Sequence, residues 1–263
     1  MMPPPTPAIS LRSLKDWLDP KGLNLIGATT ADDFDRSQPC GRRTREVLPS
    51  CGSIVVVASG GPEFWRHMRT EIGAQASVTS YAPIADRCSR LSREVCAWLD
   101  GRGVRARVVC PARNPNLNFA QMAEMAGLGV VSPVADWLMH PHFGPWVSVR
   151  FALLLEGTPL GASFRRCIAG EYQPCDGCDR PCLGACPAHV CASGSFDTQT
   201  CQSHREGGGC AAGCGMKMAC PRGSHHSYHE DDERLRRAMI ELSSSARTSG
   251  WWKLVPRAMR RDV

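Results

Sequence analysis

Nine of the fifteen cysteines in this chain lie between residues 175 and 220. That segment is rich in glycine and proline and shows almost no hydrophobic periodicity, so apolar packing alone cannot hold it in a fixed structure. Its first half, CDGCDRPCLGACP (175–187), separates successive cysteines by two, three and three residues and ends in Cys-Pro. A second Cys-Pro stands at 220–221. Such spacing predicts that bound metal cross-links the segment through thiolates.

Runs of closely spaced cysteines that end in Cys-Pro are typical of ferredoxins with two [4Fe–4S] clusters. In those proteins the last cysteine of each run ligates the other cluster. This rule assigns four cysteines to a first cluster: Cys175, Cys178, Cys182 and Cys220. It assigns four more to a second cluster: Cys186, Cys201, Cys210 and Cys214. The spacing of the second half is irregular, so Cys191 remains an alternative ligand there.

Structural zinc is the main alternative for these cysteines. Zinc sites favour two closely spaced cysteine pairs separated by a longer loop, and residues 175/178 with 210/214 satisfy that pattern. The alternative leaves the other cysteines of the segment unexplained. Outside the segment, Cys40, Cys51, Cys88, Cys96, Cys110 and Cys167 are scattered. We interpret them as small hydrophobic residues, with Cys167 as an alternative cluster ligand.

Composition places constraints on compartment and partners. No apolar run approaches about 18 residues, so no membrane span is expected. The start of the chain, MMPPPTPAIS, lacks the charged and apolar regions of a secretory signal, which favours a cytoplasmic protein with reduced thiols. The net charge of +6 is mild and dispersed. It suits an acidic partner and argues against nucleic acid, because no basic and aromatic residues alternate along a face.

Strands and helices alternate in the first part of the chain. Periodicity predicts helices at 10–19, 63–71, 85–99, 117–126 and 230–242, and strands at 23–28, 53–59, 104–110 and 146–155. The polar segment 31–50 is predicted to be a loop. The predicted fold class is therefore α+β: a sheet domain (1–160), a Cys-rich ferredoxin-type domain (165–225), and a trailing helix with a basic tail (226–263).

The cysteine-rich segment resembles the double-cluster ferredoxin domain of epoxyqueuosine reductases and related corrinoid-dependent reductases. The resemblance lies in CDGCDRPCLGACP (175–187), FDTQTCQSH (196–204) and CGMKMACP (214–221). It implies two [4Fe–4S] clusters that exchange electrons with a cofactor or substrate held elsewhere in the chain.

A second resemblance involves HPHFGPW (140–146) and the strand that follows it, together with SGGPEFWRHM (59–68) and APIADRC (82–88). These stretches are similar to the cytosolic cobalamin-processing proteins that remove the upper ligand of vitamin B12. The resemblance implies a nitroreductase-like sheet domain that binds cobalamin or flavin. It implies the following cofactor-binding residues: His140, His142, Phe143, Gly144, Trp146 and Arg150.

The sequence thus predicts an iron–sulfur oxidoreductase with a corrinoid or flavin site, a small-molecule or corrinoid substrate, and a redox partner protein. The alternative is a ferredoxin-type electron carrier with no chemistry of its own. Each resemblance-derived residue also has a structural interpretation. His140 and His142 flank a proline and suit a turn, Trp146 suits a core, and Arg150 suits a paired charge.

Overall fold

The computed structural model describes residues 9–73, 83–135, 137–161, 172–191, 195–210 and 212–236. Eight α-helices are present in these ranges: α1 (Leu11–Leu18), α2 (Ala31–Arg36), α3 (Glu63–Gly73), α4 (Pro83–Asp100), α5 (Phe119–Met125), α6 (Pro181–Gly184), α7 (Thr198–Glu206) and α8 (Gly215–Met218). Residues 230–236 are also helical, and the remainder of the helix predicted to 242 lies outside the described residues. The basic tail and Cys167 lie outside them as well.

Six strands form one main sheet and one small hairpin. They are β1 (Leu25–Thr30), β2 (Cys51–Gly60), β3 (Ala106–Val109), β4 (Val130–Val131), β5 (Leu138–Met139) and β6 (Val147–Glu156). The main sheet has the order β1-β2-β6-β3, and every neighbouring pair is antiparallel. β4 and β5 pair separately. The expected combination of helices with a sheet is confirmed, and the sheet is small and antiparallel.

Apolar side chains cover both faces of the main sheet. One face packs against α1, α3 and α4 through residues such as Leu14, Phe64 and Val95. The other packs against α2 and α5 through residues such as Phe34 and Met122. β2 lies inside the sheet with helices on both sides, so its β-branched run at 54–57 is fully buried. This explains why its sequence shows no alternation of polar and apolar residues.

The prediction of a loop over 31–50 is wrong in its first third, where α2 forms. The Thr30 side chain caps this helix by accepting a hydrogen bond from the Asp33 amide at 3.0 Å. Phe34 is fully buried beneath the sheet. The Asp35 carboxylate then accepts hydrogen bonds from the amide and hydroxyl of Thr44, at 2.7 and 2.8 Å. A cap, one buried aromatic residue and a buried carboxylate thus order a polar segment without periodicity.

The segment after the last cysteine packs back onto the sheet domain. The Tyr228 ring stands edge-on to both Trp65 and Trp146, with centroid distances of 5.9 and 5.1 Å. Asp232 is fully buried and pairs with Arg69 of α3 at 2.9 Å. These contacts attach the end of the cysteine-rich part to α3 and to the beginning of β6.

Candidate functional site

The first predicted quartet is brought together around α6. Cys175 and Cys178 precede this short helix, Cys182 lies in it, and Cys220 comes from the far end of the cysteine-rich segment. Burial raises the pKa of the Cys220 thiol, and negative charge on the other three cysteines raises it further. The four thiols therefore lie within electrostatic reach of one another, as one cluster requires.

The second predicted quartet assembles around α7 and α8. Cys201 lies in α7, and Cys214 is the N-cap residue immediately before α8. Burial raises the pKa of the Cys201 thiol and Arg205 lowers it, whereas negative charge on the three other members raises it: Cys214, Cys186 and Cys210. The spacing rule for ferredoxins with two clusters groups the same four residues.

Both quartets suit a polynuclear iron–sulfur centre in their donor chemistry. Ionised thiolates held together repel one another, and bound iron neutralises them. The second quartet also has a small apolar surround, in which Val190 and Met216 are buried beside Cys186. Within the described ranges, no three His, Cys, Asp or Glu side chains converge as ligands of a single metal ion. A cubane instead binds each of its four thiolates through a different iron atom.

Four described cysteines outside the two quartets have ordinary surroundings. The Cys191 thiol donates a hydrogen bond to the Val134 carbonyl at 3.3 Å. Cys51 is buried in β2, where burial raises the pKa of its thiol to about 11. Burial likewise raises the pKa of the Cys88 and Cys96 thiols on α4. The thiols of Cys51, Cys88 and Cys96 therefore stay protonated near neutral pH, in keeping with the interpretation of scattered cysteines as small hydrophobic residues.

The sequence HPHFG folds into a tight turn before β6. The backbones of His140 and Gly144 exchange two hydrogen bonds, of 2.9 and 2.8 Å. His140 Nδ1 accepts hydrogen bonds from the amides of His142 and Phe143, at 3.0 and 3.2 Å. Burial, with smaller contributions from His142 and His226, lowers the pKa of His140 to about 4. His140 is thus a neutral acceptor that holds the turn together.

Trp146 and Arg150 lie deeper in the sheet domain. Trp146 is buried against Tyr228, as expected of a core residue. Arg150 occupies an irregularity in the pairing of β2 with β6, where its Nε donates to Ser59 Oγ at 2.9 Å. Its guanidinium lies 3.6 Å from the centroid of the Phe64 ring, and burial lowers its pKa. Neither residue lines the cleft beside the end of β2, whose walls include Asn24 and Phe143.

The main cleft has a volume of about 630 Å³, within the range of small-molecule sites. Phe143 is the one residue of the six predicted cofactor contacts that lines it. Sequence reasoning named none of the other lining residues as contacts, although five of them belong to the stretch 59–68 that carries the second resemblance. The other lining residues are Asp19, Pro20, Asn24, Gly60, Pro62, Glu63, Arg66, His67 and His226. The Gly60–Gly61–Pro62 break after a buried strand is the sequence signal that marks this place.

The floor of the cleft is fixed by Asn24 and Phe143. Asn24 donates to the Gly60 carbonyl at 3.0 Å and accepts from the Gly60 amide at 2.8 Å. The Phe143 ring lies against Gly60, where any Cβ would overlap it. These contacts hold this end of β2 in place beneath the cleft.

The turn connects the cleft to the first quartet. Gly144, with a positive φ of 54°, lies against the backbone of Arg222, two residues beyond Cys220. Tyr172 donates to the His140 carbonyl at 3.3 Å, and Arg222 donates to the Pro174 carbonyl at 3.0 Å. Both ends of the first quartet are thus tied to the turn that supplies Phe143 to the cleft.

The small antiparallel sheet covered by helices on both faces, followed by a cysteine-rich segment, is an arrangement shared with solved structures. The chain has the fold found in solved epoxyqueuosine reductases and reductive dehalogenases, as the resemblance predicted. No family model matches the sequence, and no curated protein matches it.

An epoxyqueuosine reductase structure matches with a TM-score of 0.58 and 17% identity, covering 85% of this chain and 68% of that one. The enzyme from Streptococcus thermophilus matches with a TM-score of 0.51 and 15% identity, covering 81% and 65%. A catabolic reductive dehalogenase, solved with 3-bromo-4-hydroxybenzoic acid, matches with a TM-score of 0.57 and 17% identity. That match covers 95% of this chain and 36% of the dehalogenase.

The part of the chain that the structure describes contains no helix that is both long and apolar enough to cross a bilayer.

Proposed function

We propose that this chain is a reductase with two [4Fe–4S] clusters, which serve a corrinoid or flavin bound by the sheet domain. The main support is the assembly of eight cysteines into two separate quartets, on a fold shared with known reductases. We expect the protein to work in the cytoplasm, where thiols stay reduced and available for iron.

The first cluster would be held by Cys175, Cys178, Cys182 and Cys220, and the second by Cys186, Cys201, Cys210 and Cys214. When bound, such clusters supply one-electron transfer at potentials set by charge, hydrogen bonds and exposure. The segments that flank the first quartet support this order, because Tyr172 bonds to the HPHFG turn and Arg222 bonds to Pro174. This quartet is therefore the natural neighbour of the group to be reduced.

The cleft is our candidate for that group. Its walls combine flat rings, Phe143 and His226, with the charged side chains of Glu63 and Arg66. Flat rings suit the face of a flavin or the edge of a corrinoid, and the charged groups suit polar substituents. A structure with a TM-score of 0.51 and 18% identity carries a title that refers to B12-dependent dehalogenation. That likeness favours a corrinoid, and the volume of the cleft also suits a flavin.

The class of substrate can include nucleic acid. One epoxyqueuosine reductase that shares the fold was solved with a modified tRNA stem loop, at a TM-score of 0.54 and 17% identity. That observation bears against the argument from composition that nucleic acid is not a partner. We therefore expect either a small molecule or a modified RNA as substrate, with a redox protein as electron donor.

The electron-carrier alternative has one specific observation in its favour. Among the described residues, two large hydrophobic side chains are exposed: Leu183 on α6 and Met218 on α8. These helices contact each other, and each lies beside cysteines of a predicted cluster. Exposed apolar groups next to redox centres suit brief contact with another protein.

A titration with cofactors separates the two functions. Protein purified without oxygen is mixed with hydroxocobalamin or with FMN, passed through a desalting column, and examined by visible spectroscopy. The reductase should retain about one equivalent of one of them, and dithionite should then reduce the retained cofactor. Retention of neither, together with rapid electron exchange with a ferredoxin or flavodoxin, would contradict the proposal and leave the carrier.

A further inference from the structure

Three histidine rings meet where the cysteine-rich part joins the sheet domain. His142 belongs to the HPHFG turn, whereas His225 and His226 follow the last predicted cluster ligand by five and six residues. The His226 centroid lies 4.2 Å from that of His142 and 4.1 Å from that of His225. The His142 and His225 centroids are 6.1 Å apart. The stack bridges the two parts of the molecule.

His226 has no partner that would favour its charged form. Its Nε2 is buried without a hydrogen-bond acceptor among the described residues, and its ring lies 4.7 Å from the Phe143 ring. Burial lowers the pKa of His226, and the neighbouring His142 and His225 lower it further. A proton on this ring would stand in an unsolvated position beside two other imidazoles.

Charged groups on the other walls of the cleft do not stabilise a proton on His226. Glu63 of α3 already pairs with Arg66 and lies 3.5 Å from His67 Nε2. Asp19, at the end of α1, pairs with Lys15 at 2.8 Å. His140 faces the stack from the turn and is itself held neutral. Among the described residues that line the cleft, both carboxylates are therefore engaged by cations.

We propose that the stack of His142, His225 and His226 is a pH-sensitive latch. When its rings are neutral, the latch holds the cysteine-rich part against the sheet domain beside the cleft. When they are protonated, it loosens this junction. The device would regulate the reductase, so it rests on the proposed function. A loosened junction would separate the first quartet from the cleft and stop reduction at acid pH.

The direction of the pH dependence follows from the linkage between proton binding and opening of the junction. The pKa of His226 in the closed junction lies below the ordinary value of 6.5, so the open junction binds more protons. The closed form is favoured fully above about pH 6.5 and loses stability as the pH falls below it. One histidine can raise the opening constant by up to about tenfold for each pH unit in this range.

Hydrogen exchange of the complete holoprotein tests the latch without requiring turnover. Peptides covering 140–146 and 222–228 are followed at pH 7.5 and 5.5, and their rates are corrected for the intrinsic pH dependence of exchange. Both peptides should lose protection at pH 5.5 in wild-type protein, by up to about tenfold. His226→Gln, which keeps a polar side chain but does not titrate, should show no such loss in 222–228, whereas 140–146 keeps the part of its loss that comes from protonation of His140. Peptides from β2 should not respond.

The control variant is His229→Gln, which alters an exposed histidine three residues away and should behave as wild type. Unchanged protection of peptide 222–228 between the two pH values in wild-type protein would overturn the latch, as would the same loss for that peptide in His226→Gln. If that variant does not fold, the response of 222–228 in wild-type protein decides, because His140 lies outside that peptide. The iron content of the same sample is measured in parallel, so failure of the cluster proposal is recorded separately from failure of the latch.

Discussion

A Cβ at Gly144 would overlap the carbonyl oxygen of Arg222, so that no side chain fits between the HPHFG turn and the segment after the last predicted cluster cysteine. Gly144 also has a positive φ of 54°, which glycine adopts without strain. This contact joins the sheet domain to the cysteine-rich part, and its consequences can be measured.

Gly144→Ala should weaken this junction. The new Cβ combines left-handed strain with a backbone overlap, which together cost about 2–4 kcal/mol. The thermal midpoint of the holoprotein, followed by circular dichroism, should fall by about 5–15 °C. Gly103→Ala is the matched control, because Gly103 has a φ of 71° but open space around its Cβ position. Equal losses in both variants would show that strain alone matters and that the contact does not.

Single cysteine variants should divide the iron between two sites. Cys182→Ala removes a ligand of the first quartet and Cys201→Ala one of the second, so each should lower iron from about eight to about four atoms per chain. Cys96→Ala, on α4 of the sheet domain, should retain all of the iron. Complete loss of iron in one quartet variant with none in the other would contradict the assignment of two independent clusters.

Asn24→Ala should damage the cleft without affecting the clusters. The substitution removes both hydrogen bonds to Gly60, which are worth about 1–3 kcal/mol together, and frees the end of β2. Retention of added hydroxocobalamin or FMN should fall by about tenfold or more while iron content is unchanged. Asn114→Ala is the control, because Asn114 also accepts from a backbone amide, that of Cys110, but lies outside the cleft. Undiminished retention in Asn24→Ala would place the cofactor elsewhere.

His140 should make the stability of the turn depend on pH. Its neutral ring accepts two amide hydrogen bonds, so His140→Ala should cost about 1–2 kcal/mol at pH 7.5. The pKa of His140 is depressed from 6.5 to about 4. Its contribution is therefore complete above about pH 6.5 and is lost as the pH falls towards 4. Thermal midpoints of wild type and variant should converge between pH 7.5 and 4.5, and a constant difference would contradict this role.

The sequence predicted some of these features because they depend on local spacing. The run from Cys175 to Cys186 determines which thiols are neighbours, and the apolar run at 54–57 determines a buried strand. By contrast, α2 has only a Thr30 cap and Phe34 to mark it, which periodicity does not detect.

The cleft was harder to predict because its walls come from separate elements. Asn24 and His226 are about two hundred residues apart in the chain and meet only after the sheet and the junction have formed. Resemblance to a cofactor-binding motif predicted Phe143 as a contact. It also predicted Trp146 and Arg150. The structure buries Trp146 against Tyr228 and packs the Arg150 guanidinium on the Phe64 ring, and neither residue lines the cleft. A sequence motif indicates that the residue types of a segment are constrained. The packing around each side chain in the structure shows the cause of that constraint.

The most direct test of the account is the iron and sulfide content of full-length protein purified without oxygen, combined with electron paramagnetic resonance after reduction. We predict a brown protein with about eight irons and about eight sulfides per chain, and signals of reduced [4Fe–4S] clusters after dithionite treatment. A colourless protein that is folded, free of iron and either metal-free or loaded with zinc would contradict the account at its centre.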